Sequence, residues 1–300
     1  MIPINFITKD EDYKRSVVDL FYKKIVENCN LRYIKNIDTW CKSNLNISNR
    51  IFSFEDVIKA TPPELILIKN HIEQNKIPMC SLYKHSLSGN KYCYIIDNLY
   101  NKKVPRLFIV DSLNITVCPY CNRNFVSSSK DRTLCQLDHF VNKYEFPILA
   151  VSFYNLIPVC SSCNHRKGTQ DFSISPHDLE LITNNLIQFS YHISGFDFLF
   201  DYKQLYIDLD YSNQIAANVE GLHLEEIYQI HADLVQELIK KSYIYNELYI
   251  QDILHNYSYL FDSQEELERV LFGNYLTESN FAKRPLAKLT YDICKELGAV

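Results

Sequence analysis

The sequence lacks the features that would place a protein in a membrane or export it. No run approaches the roughly 18 uninterrupted apolar residues of a membrane-spanning helix. The first residues, Met-Ile-Pro-Ile-Asn-Phe followed by the acidic stretch after Lys9, do not have the basic-then-apolar layout of a secretory signal. Internal repeats and low-complexity linkers are also lacking. We therefore expect a cytoplasmic protein without membrane association.

A net positive charge is lacking too, which at first argues against a nucleic-acid-binding protein. The 300 residues carry a formal charge of −5. The charge is segregated, however, because 10 Lys and Arg but only 5 Asp and Glu lie between Lys91 and Gln170, so the rest of the chain carries about −10. A basic segment in an acidic chain is typical of a local phosphate-binding surface. Chance clustering of surface charge is the alternative.

The apolar pattern predicts an α+β protein, with a mainly helical body that carries a small module and a few short strands after it. Thr61 is expected to cap a helix that begins at Pro62. We predict helices over 9–29, 54–75, Gln264–Leu271 and Leu286–Leu297, and strands near Arg123–Val126, Leu134–Phe140, Ile187–Ile193 and Leu205–Leu209. Three regions are expected: a helical region over 1–105, the module over 106–175, and a mainly helical, partner-binding region over 176–300.

Four of the 10 cysteines form two Cys-x-x-Cys pairs. In a reducing compartment, paired cysteines bind metal more often than they form disulfides. Cys118 and Cys121, with Cys160 and Cys163, have a spacing that suits one tetrahedral structural zinc ion. Redox chemistry is the alternative. The remaining cysteines show no paired spacing and are expected to be buried or neutral thiols: Cys29, Cys41, Cys80, Cys93, Cys135 and Cys294.

Because four thiolates leave zinc no open position, catalysis would need the other groups of the module. Asp138 on a strand and Asn164 on a helix that the zinc fixes could supply oxygen ligands to a hard cation such as Mg²⁺ or Mn²⁺. A neutral His139 is placed to take a proton from an attacking water. It needs its other ring nitrogen held, which a backbone carbonyl can do while Asn155 braces the loop.

These residues together resemble the HNH endonucleases, a family with a ββα-metal fold. The likeness rests on Cys118-x-x-Cys121, Leu137-Asp138-His139-Phe140, Asn155-Leu-Ile-Pro158 and Cys160-x-x-Cys163-Asn164-x-x-Lys167-Gly168. It implies that Asp138 and Asn164 bind the catalytic ion, that His139 is the general base and that Asn155 positions it. Where the family name has its last His, this sequence has Asn164, which keeps an oxygen ligand.

Basic residues of the module are expected to contact the nucleic-acid backbone. Arg166 and Lys167 lie on the helix that the zinc fixes, near Asn164, and phosphate contacts are the commonest role of such side chains. Lys143 and Arg123 belong to the same basic segment and receive the same expectation. A solvated helix end, favourably placed for the helix dipole, is the alternative for Arg166 and Lys167.

A wider likeness points to one branch of the family. Gln136–Phe140, Tyr144–Pro158 and Phe281–Leu289 resemble HNH proteins encoded beside an ABC-type ATPase in bacterial anti-phage systems of the Septu kind. That resemblance implies a partner ATPase and double-stranded DNA as the target. Two alternatives stay open: a non-catalytic, zinc-dependent nucleic-acid-binding or adaptor protein, and a nuclease that cuts RNA such as tRNA.

Overall fold

A computed structural model of the chain describes residues 1–4, 9–85, 91–178 and 186–299. Helices predominate across these ranges and the strands form short antiparallel pairs, so the α+β class is confirmed. None of the helices described is both long enough and apolar enough to cross a membrane.

The chain divides into two compact units. The first comprises Met1–Asn5, Ile115–Val126 and Phe172–Val300, and the second comprises Phe6–Asn114 and Ser127–Asp171. The three-region division expected from the sequence stays a prediction.

The second unit contains seven α-helices and six short strands among the residues described. The helices are α1 (Glu11–Val26), α2 (Leu31–Asn44), α3 (Phe54–Lys59), α4 (Pro62–Gln74), α5 (Asn101–Lys103), α6 (Arg106–Leu113) and α7 (Ser161–Lys167), with a π-helical stretch at Ile95–Tyr100. The strands are β1 (Asn46–Ile47), β2 (Arg50–Ile51), β3 (Tyr83–His85), β4 (Lys91–Cys93), β5 (Gln136–His139) and β6 (Leu156–Val159).

Local capping signals explain the boundary between α3 and α4. Ser53 and Asp56 form a capping box at the start of α3, and Thr61 and Glu64 form another at the start of α4, next to Pro62. The predicted break in the helical pattern is therefore confirmed. The core of this unit lies where α1 and α3 meet the loop between β5 and β6: the ring of Phe21 packs edge-on against Phe153 at 5.2 Å.

The first unit is built on a long hairpin with helices packed on it. Its strands are β7 (Ile187–Ile193) and β8 (Leu205–Tyr211), and its helices are α8 (Ala216–Leu222), α9 (Leu224–Tyr228), α10 (Ala232–Ile244), α11 (Glu247–Asn256), α12 (Gln264–Phe272) and α13 (Ala287–Glu296). α13 packs on β7 and α10 packs on β8. The strands and helices predicted here agree with the structure to within two residues.

One predicted strand is wrong. Near Arg123–Val126 the chain forms only an isolated bridge between Val117 and Phe125. The reason is the tight turn before it, where Asn122 adopts a φ of +49° and its amide donates to the carbonyl oxygen of Cys118 at 2.8 Å. After this turn, pairing with the preceding segment is confined to the bridge at Phe125 and the flanking hydrogen bonds of Asn124 and Val126, which is too short for a strand.

Candidate functional site

The candidate site is built on β5, β6 and α7 of the second unit. β5 pairs antiparallel with β6, which places Asp138 opposite Ile157 and His139 opposite Leu156. α7 packs against β5 and ends at Gly168, whose φ of +52° favours glycine. The order strand, loop, strand and helix brings the functional side chains of β5 and α7 together.

Asn155 organises the loop between the two strands. Its side chain is fully buried, and its Oδ1 accepts from the amide of Val141 at 2.7 Å. Its Nδ2 donates to the carbonyl oxygens of Val141 at 3.1 Å and Leu149 at 2.8 Å. The amide group of Asn155 thus ties the start of the loop at Val141 to Leu149, next to Ala150, and its role as a positioning residue stays a prediction.

His139 is held by the same loop. Its Nε2 donates to the carbonyl oxygen of Ala150 at 3.0 Å, and its ring packs edge-on against Tyr100 with the centroids 4.4 Å apart. Burial, with the nearby charge of Lys143, lowers the pKa of His139 to about 3. The imidazole is therefore neutral near pH 7, and because Nε2 carries the proton, Nδ1 is the nitrogen that can accept one.

Asp138 and Lys167 form a buried ion pair beneath this site. The Nζ of Lys167 lies 3.2 Å from Oδ2 and 3.4 Å from Oδ1 of Asp138, and it donates to the carbonyl oxygen of His139 at 2.7 Å. Only 1% of Lys167 is exposed. The lysine thus offsets the burial of the carboxylate and ties α7 to the end of β5.

An open pocket of about 460 Å³ brings the candidate residues together. Asp138, His139 and Asn164 all line it. The Nδ2 of the half-buried Asn164 donates to Oε1 of Gln136 at 2.5 Å. Its other polar atom, Oδ1, is an acceptor and is the atom that could bind a cation. Three of the four expected catalytic residues line this pocket. The fourth, Asn155, is buried and contacts the loop that carries Ala150, whose carbonyl oxygen accepts from His139.

The four residues expected to contact phosphates lie in different settings. Lys143 lines the pocket, and Arg166 is exposed on α7. Arg123 belongs to the first unit, where its Nε donates to Nε2 of His231 at 2.8 Å. Lys167 agrees least with the expected phosphate contact and also with the alternative of a solvated helix end, because its buried amine is directed at Asp138 rather than at solvent. A phosphate contact by Lys167 stays a prediction that this burial does not favour.

Sequence reasoning did not find every residue of the pocket, and two of those it missed are functional candidates. Tyr100 ends the π-helical stretch, and Arg106 begins α6, and both line the pocket. They precede the cysteine module and belong to no motif. The basic count between Lys91 and Gln170 includes Arg106 but could not distinguish it from any other surface cation.

The four paired cysteines cluster. All four are buried, and the Sγ atoms of Cys118, Cys121, Cys160 and Cys163 lie within 4.8 Å of one another. Thiolates around a tetrahedral zinc ion lie about 3.8 Å apart, given Zn–S distances of about 2.3 Å. The cluster could therefore hold a metal ion, and its sulfur-only donor set is typical of zinc.

The backbone near the first pair is arranged as in a metal-binding turn. The amide of Arg123 donates to Sγ of Cys121 at 3.4 Å, and the amide of Cys118 donates to the carbonyl oxygen of Asn124 at 2.9 Å. An amide directed at sulfur stabilises the thiolate form that binds metal.

Comparison with known proteins finds similarity to an endonuclease family and to a curated bacterial protein. Residues 118–170 match the family model described as HNH endonuclease. Over 130 residues the chain is 29% identical to the Septu protein PtuB of Bacillus thuringiensis, a match that covers 42% of this chain and 49% of that protein. The chain thus matches about half the length of this curated relative. No solved structure gives a significant match.

Proposed function

We propose that this chain, which carries an HNH endonuclease domain and fits an HNH protein of a Septu-type system, is a metal-dependent endonuclease of anti-phage defence. The proposed substrate is the phosphodiester backbone of double-stranded DNA. The observation that supports this most is the shared pocket, in which Asp138 and Asn164 lie beside a neutral His139.

The proposed base is Nδ1 of His139. Because Nε2 donates to the carbonyl oxygen of Ala150, Nδ1 can accept the proton of the water that attacks phosphorus. Asn155 is a positioning residue, since it fixes both ends of the loop that carries Ala150.

The pocket has a donor set that fits a divalent cation. A carboxylate from Asp138 and an amide oxygen from Asn164 are hard oxygen ligands of the kind that Mg²⁺ and Mn²⁺ prefer. When bound there, such an ion would polarise the scissile phosphate and stabilise the departing oxygen. Lys167 neutralises part of the charge of Asp138 and so offsets the cost of burying that carboxylate.

We assign the four clustered cysteines to a structural zinc ion. Its role would be to hold the turn at Cys118 and the start of α7, which begins immediately after Cys160. The same proposal places the protein in the cytoplasm, where such thiols stay reduced.

An ABC-type ATPase is the proposed partner. The support is the likeness of the chain to HNH proteins encoded beside such ATPases, together with the similarity to a protein named for the Septu system. An unregulated nuclease would endanger its own cell, so we expect low activity without the partner. The neighbouring reading frames test this part: an adjacent ATPase gene supports it, and its absence contradicts it.

Plasmid cleavage with Mg²⁺ or Mn²⁺, against a control with EDTA, tests the catalytic assignment. His139→Ala should abolish cleavage and keep both folding and bound zinc. His71→Ala is a matched control, because Nε2 of His71 also contacts a backbone carbonyl, that of Asn44, at 3.1 Å, but lies outside the pocket. It should cleave like the unmodified chain.

The outcomes separate the three functions. Cleavage that survives His139→Ala contradicts the assigned base. Binding of duplex DNA without cleavage under any metal, with the ATPase present, favours an adaptor. Cleavage of labelled tRNA in preference to duplex DNA assigns the chain to RNA instead.

A further inference from the structure

Two cations of the pocket wall lie against a single aromatic ring. The Nζ of Lys143 is 4.4 Å from the centroid of Tyr100, and the Cζ of Arg106 is 5.0 Å from it. All three residues line the pocket that contains Asp138 and His139. The face of an aromatic ring attracts cations, so Tyr100 holds both side chains at the wall of the pocket.

Tyr100 is itself fixed relative to β5. Its hydroxyl donates to the carbonyl oxygen of Leu137 at 3.2 Å, and its ring contacts the ring of His139. Tyr100 therefore connects the two cations to the proposed base, because it contacts both cations, the backbone of β5 and the ring of His139.

The charge of these cations is not neutralised within the part of the chain that the structure describes. There, neither Arg106 nor Lys143 has a carboxylate within ion-pair distance, whereas Asp138 is paired with Lys167. Burial, reinforced by the charge of Arg106, lowers the pKa of Lys143. The pocket thus holds two neighbouring positive charges whose mutual repulsion an anionic ligand would relieve.

We propose that Arg106 and Lys143 bind a backbone phosphate of duplex DNA next to the bond that is cut, with Tyr100 holding both cations in place. This inference rests on the proposed function and extends it, because Arg106 and Tyr100 lie outside the matched residues 118–170. A guanidinium and an ammonium suit one phosphate, since the first can donate two parallel hydrogen bonds and the second acts as a point charge. Tyr100 is a positioning residue in this arrangement.

Binding of a short fluorescein-labelled duplex to the full chain tests the proposal. Anisotropy is measured over a series of salt concentrations without added divalent ions, and a gel confirms that the duplex stays intact. Arg106→Gln should weaken binding roughly five- to tenfold and lower the slope of log K against log salt by about 0.9, the value for one lost phosphate contact. Arg106→Lys should keep the slope.

Arg15→Gln is the matched control. It removes the same charge from an exposed position on α1, where the guanidinium lies 3.7 Å from the carboxylate of Asp12, and should change neither the affinity nor the slope. Thermal unfolding of each variant shows that it is folded. Tyr100→Leu should weaken binding about as much as Arg106→Gln although it removes no charge, because both cations lose their support.

Each result decides the matter. A folded Arg106→Gln variant with unchanged affinity and salt slope overturns the phosphate assignment, and cleavage by the unmodified chain would then leave the proposed function standing. The same measurement with labelled tRNA tests the choice of nucleic acid. If Arg106→Gln loses affinity for tRNA but not for the duplex, the assignment to DNA is overturned. An unmodified chain that neither binds nor cuts nucleic acid overturns both this inference and the proposed function.

Discussion

Each of the two units contains a buried pair of lysine and aspartate. The pairs differ in their contact distances and in the surroundings of the carboxylate. In the first unit, Nζ of Lys288 lies 2.6 Å from both carboxylate oxygens of Asp292, one turn along α13. Oδ2 of Asp292 also accepts from the amide of Phe189 at 2.9 Å. In the second unit the contacts between Lys167 and Asp138 are longer, 3.2 and 3.4 Å, and Asp138 lines an open pocket.

The comparison shows that burial of charge does not by itself mark a functional site. Burial lowers the pKa of Lys288 and raises the pKa of Asp292, and the close contact between the two offsets that effect. The amide of Phe189 links this pair on α13 to β7. The carboxylate of Asp138 has longer contacts with its lysine, and it lines an open pocket. The two pairs differ in what surrounds the carboxylate: an open pocket at Asp138, and the packed elements α13 and β7 at Asp292.

Cysteine gives the largest expected difference. Cys121→Ala should remove the proposed structural zinc ion, and with it much of the roughly 10 kcal/mol that such a site contributes to folding. Cys294→Ala is the control, because Cys294 is fully buried in α13, where burial raises the pKa of its thiol to about 12. That variant should lose only packing energy. Elemental analysis for zinc and thermal unfolding measure both effects.

One zinc per chain in the unmodified protein and in Cys294→Ala, with none in Cys121→Ala, is the expected outcome. Well-folded protein that contains no zinc would contradict the assignment.

Lysine gives the next effect. Lys167→Met and Lys288→Met should each lower the free energy of unfolding by about 3–5 kcal/mol, because each leaves a buried carboxylate without its partner. Added Mn²⁺ should restore part of the stability of Lys167→Met, since Asp138 faces a pocket where a cation can replace the ammonium. It should not help Lys288→Met. Denaturant unfolding with and without Mn²⁺ measures this.

Equal responses of the two lysine variants to Mn²⁺ would remove the distinction between the pairs. Lys288→Met is thus the matched control for a general effect of the metal on the folded chain.

Replacing the aspartate of each pair should affect the cleavage rate in one case and only stability in the other. Asp138→Asn should slow cleavage at least about 100-fold, because it weakens the proposed metal contact, which would stabilise the transition state by several kcal/mol. Asp292→Asn should lower stability and leave the cleavage rate per folded molecule unchanged. Single-turnover cleavage, with the folded fraction measured by circular dichroism, separates the two. A large rate loss in Asp292→Asn would contradict the assignment of Asp292 to structure alone.

Sequence reasoning predicted the parts of the fold that local signals determine. The hairpin of β7 and β8 follows from strict alternation, and the start of α4 follows from the capping box at Thr61. In the site, the spacing of the cysteine pairs and the order of Asp138, His139 and Asn155 identified the module, because the resemblance to a family rests on sequence order. The carbonyl that holds His139 was expected as a type of partner, although not as Ala150.

The remainder depended on contacts between residues far apart in sequence. Lys167 faces inward because α7 packs on β5, and no helical pattern of only seven residues reveals that face. Tyr100 and Arg106 reach the pocket from a π-helical stretch and the start of α6, about 30 to 40 residues before His139, and neither belongs to a motif. Distance along the chain, rather than weak chemistry, concealed them.

The smallest expected effect concerns the pH dependence of stability that arises from His231, which is compared with His139. The acceptor nitrogen of His231, Nε2, is occupied by Arg123, whereas Nδ1 of His139 has no protein partner among the described residues. Burial, with the charge of Arg123, lowers the pKa of His231 to about 4. Between pH 6.5 and 4 the unfolded chain therefore binds a proton at this residue that the native protein does not, so stability falls as the pH drops through that range.

For a half-buried group, solvent screening reduces the effect to about 1 kcal/mol. His231→Gln keeps an acceptor for Arg123 but does not titrate, so its unfolding free energy should change less between pH 7.5 and pH 5 than that of the unmodified chain. His255→Gln, exposed on α11, should behave like the unmodified chain. The unfolding free energy of His231→Gln could instead fall with pH as much as that of the unmodified chain. In that case the contact with Arg123 does not hold the imidazole of His231 neutral, and His231 no longer serves as the contrast to His139.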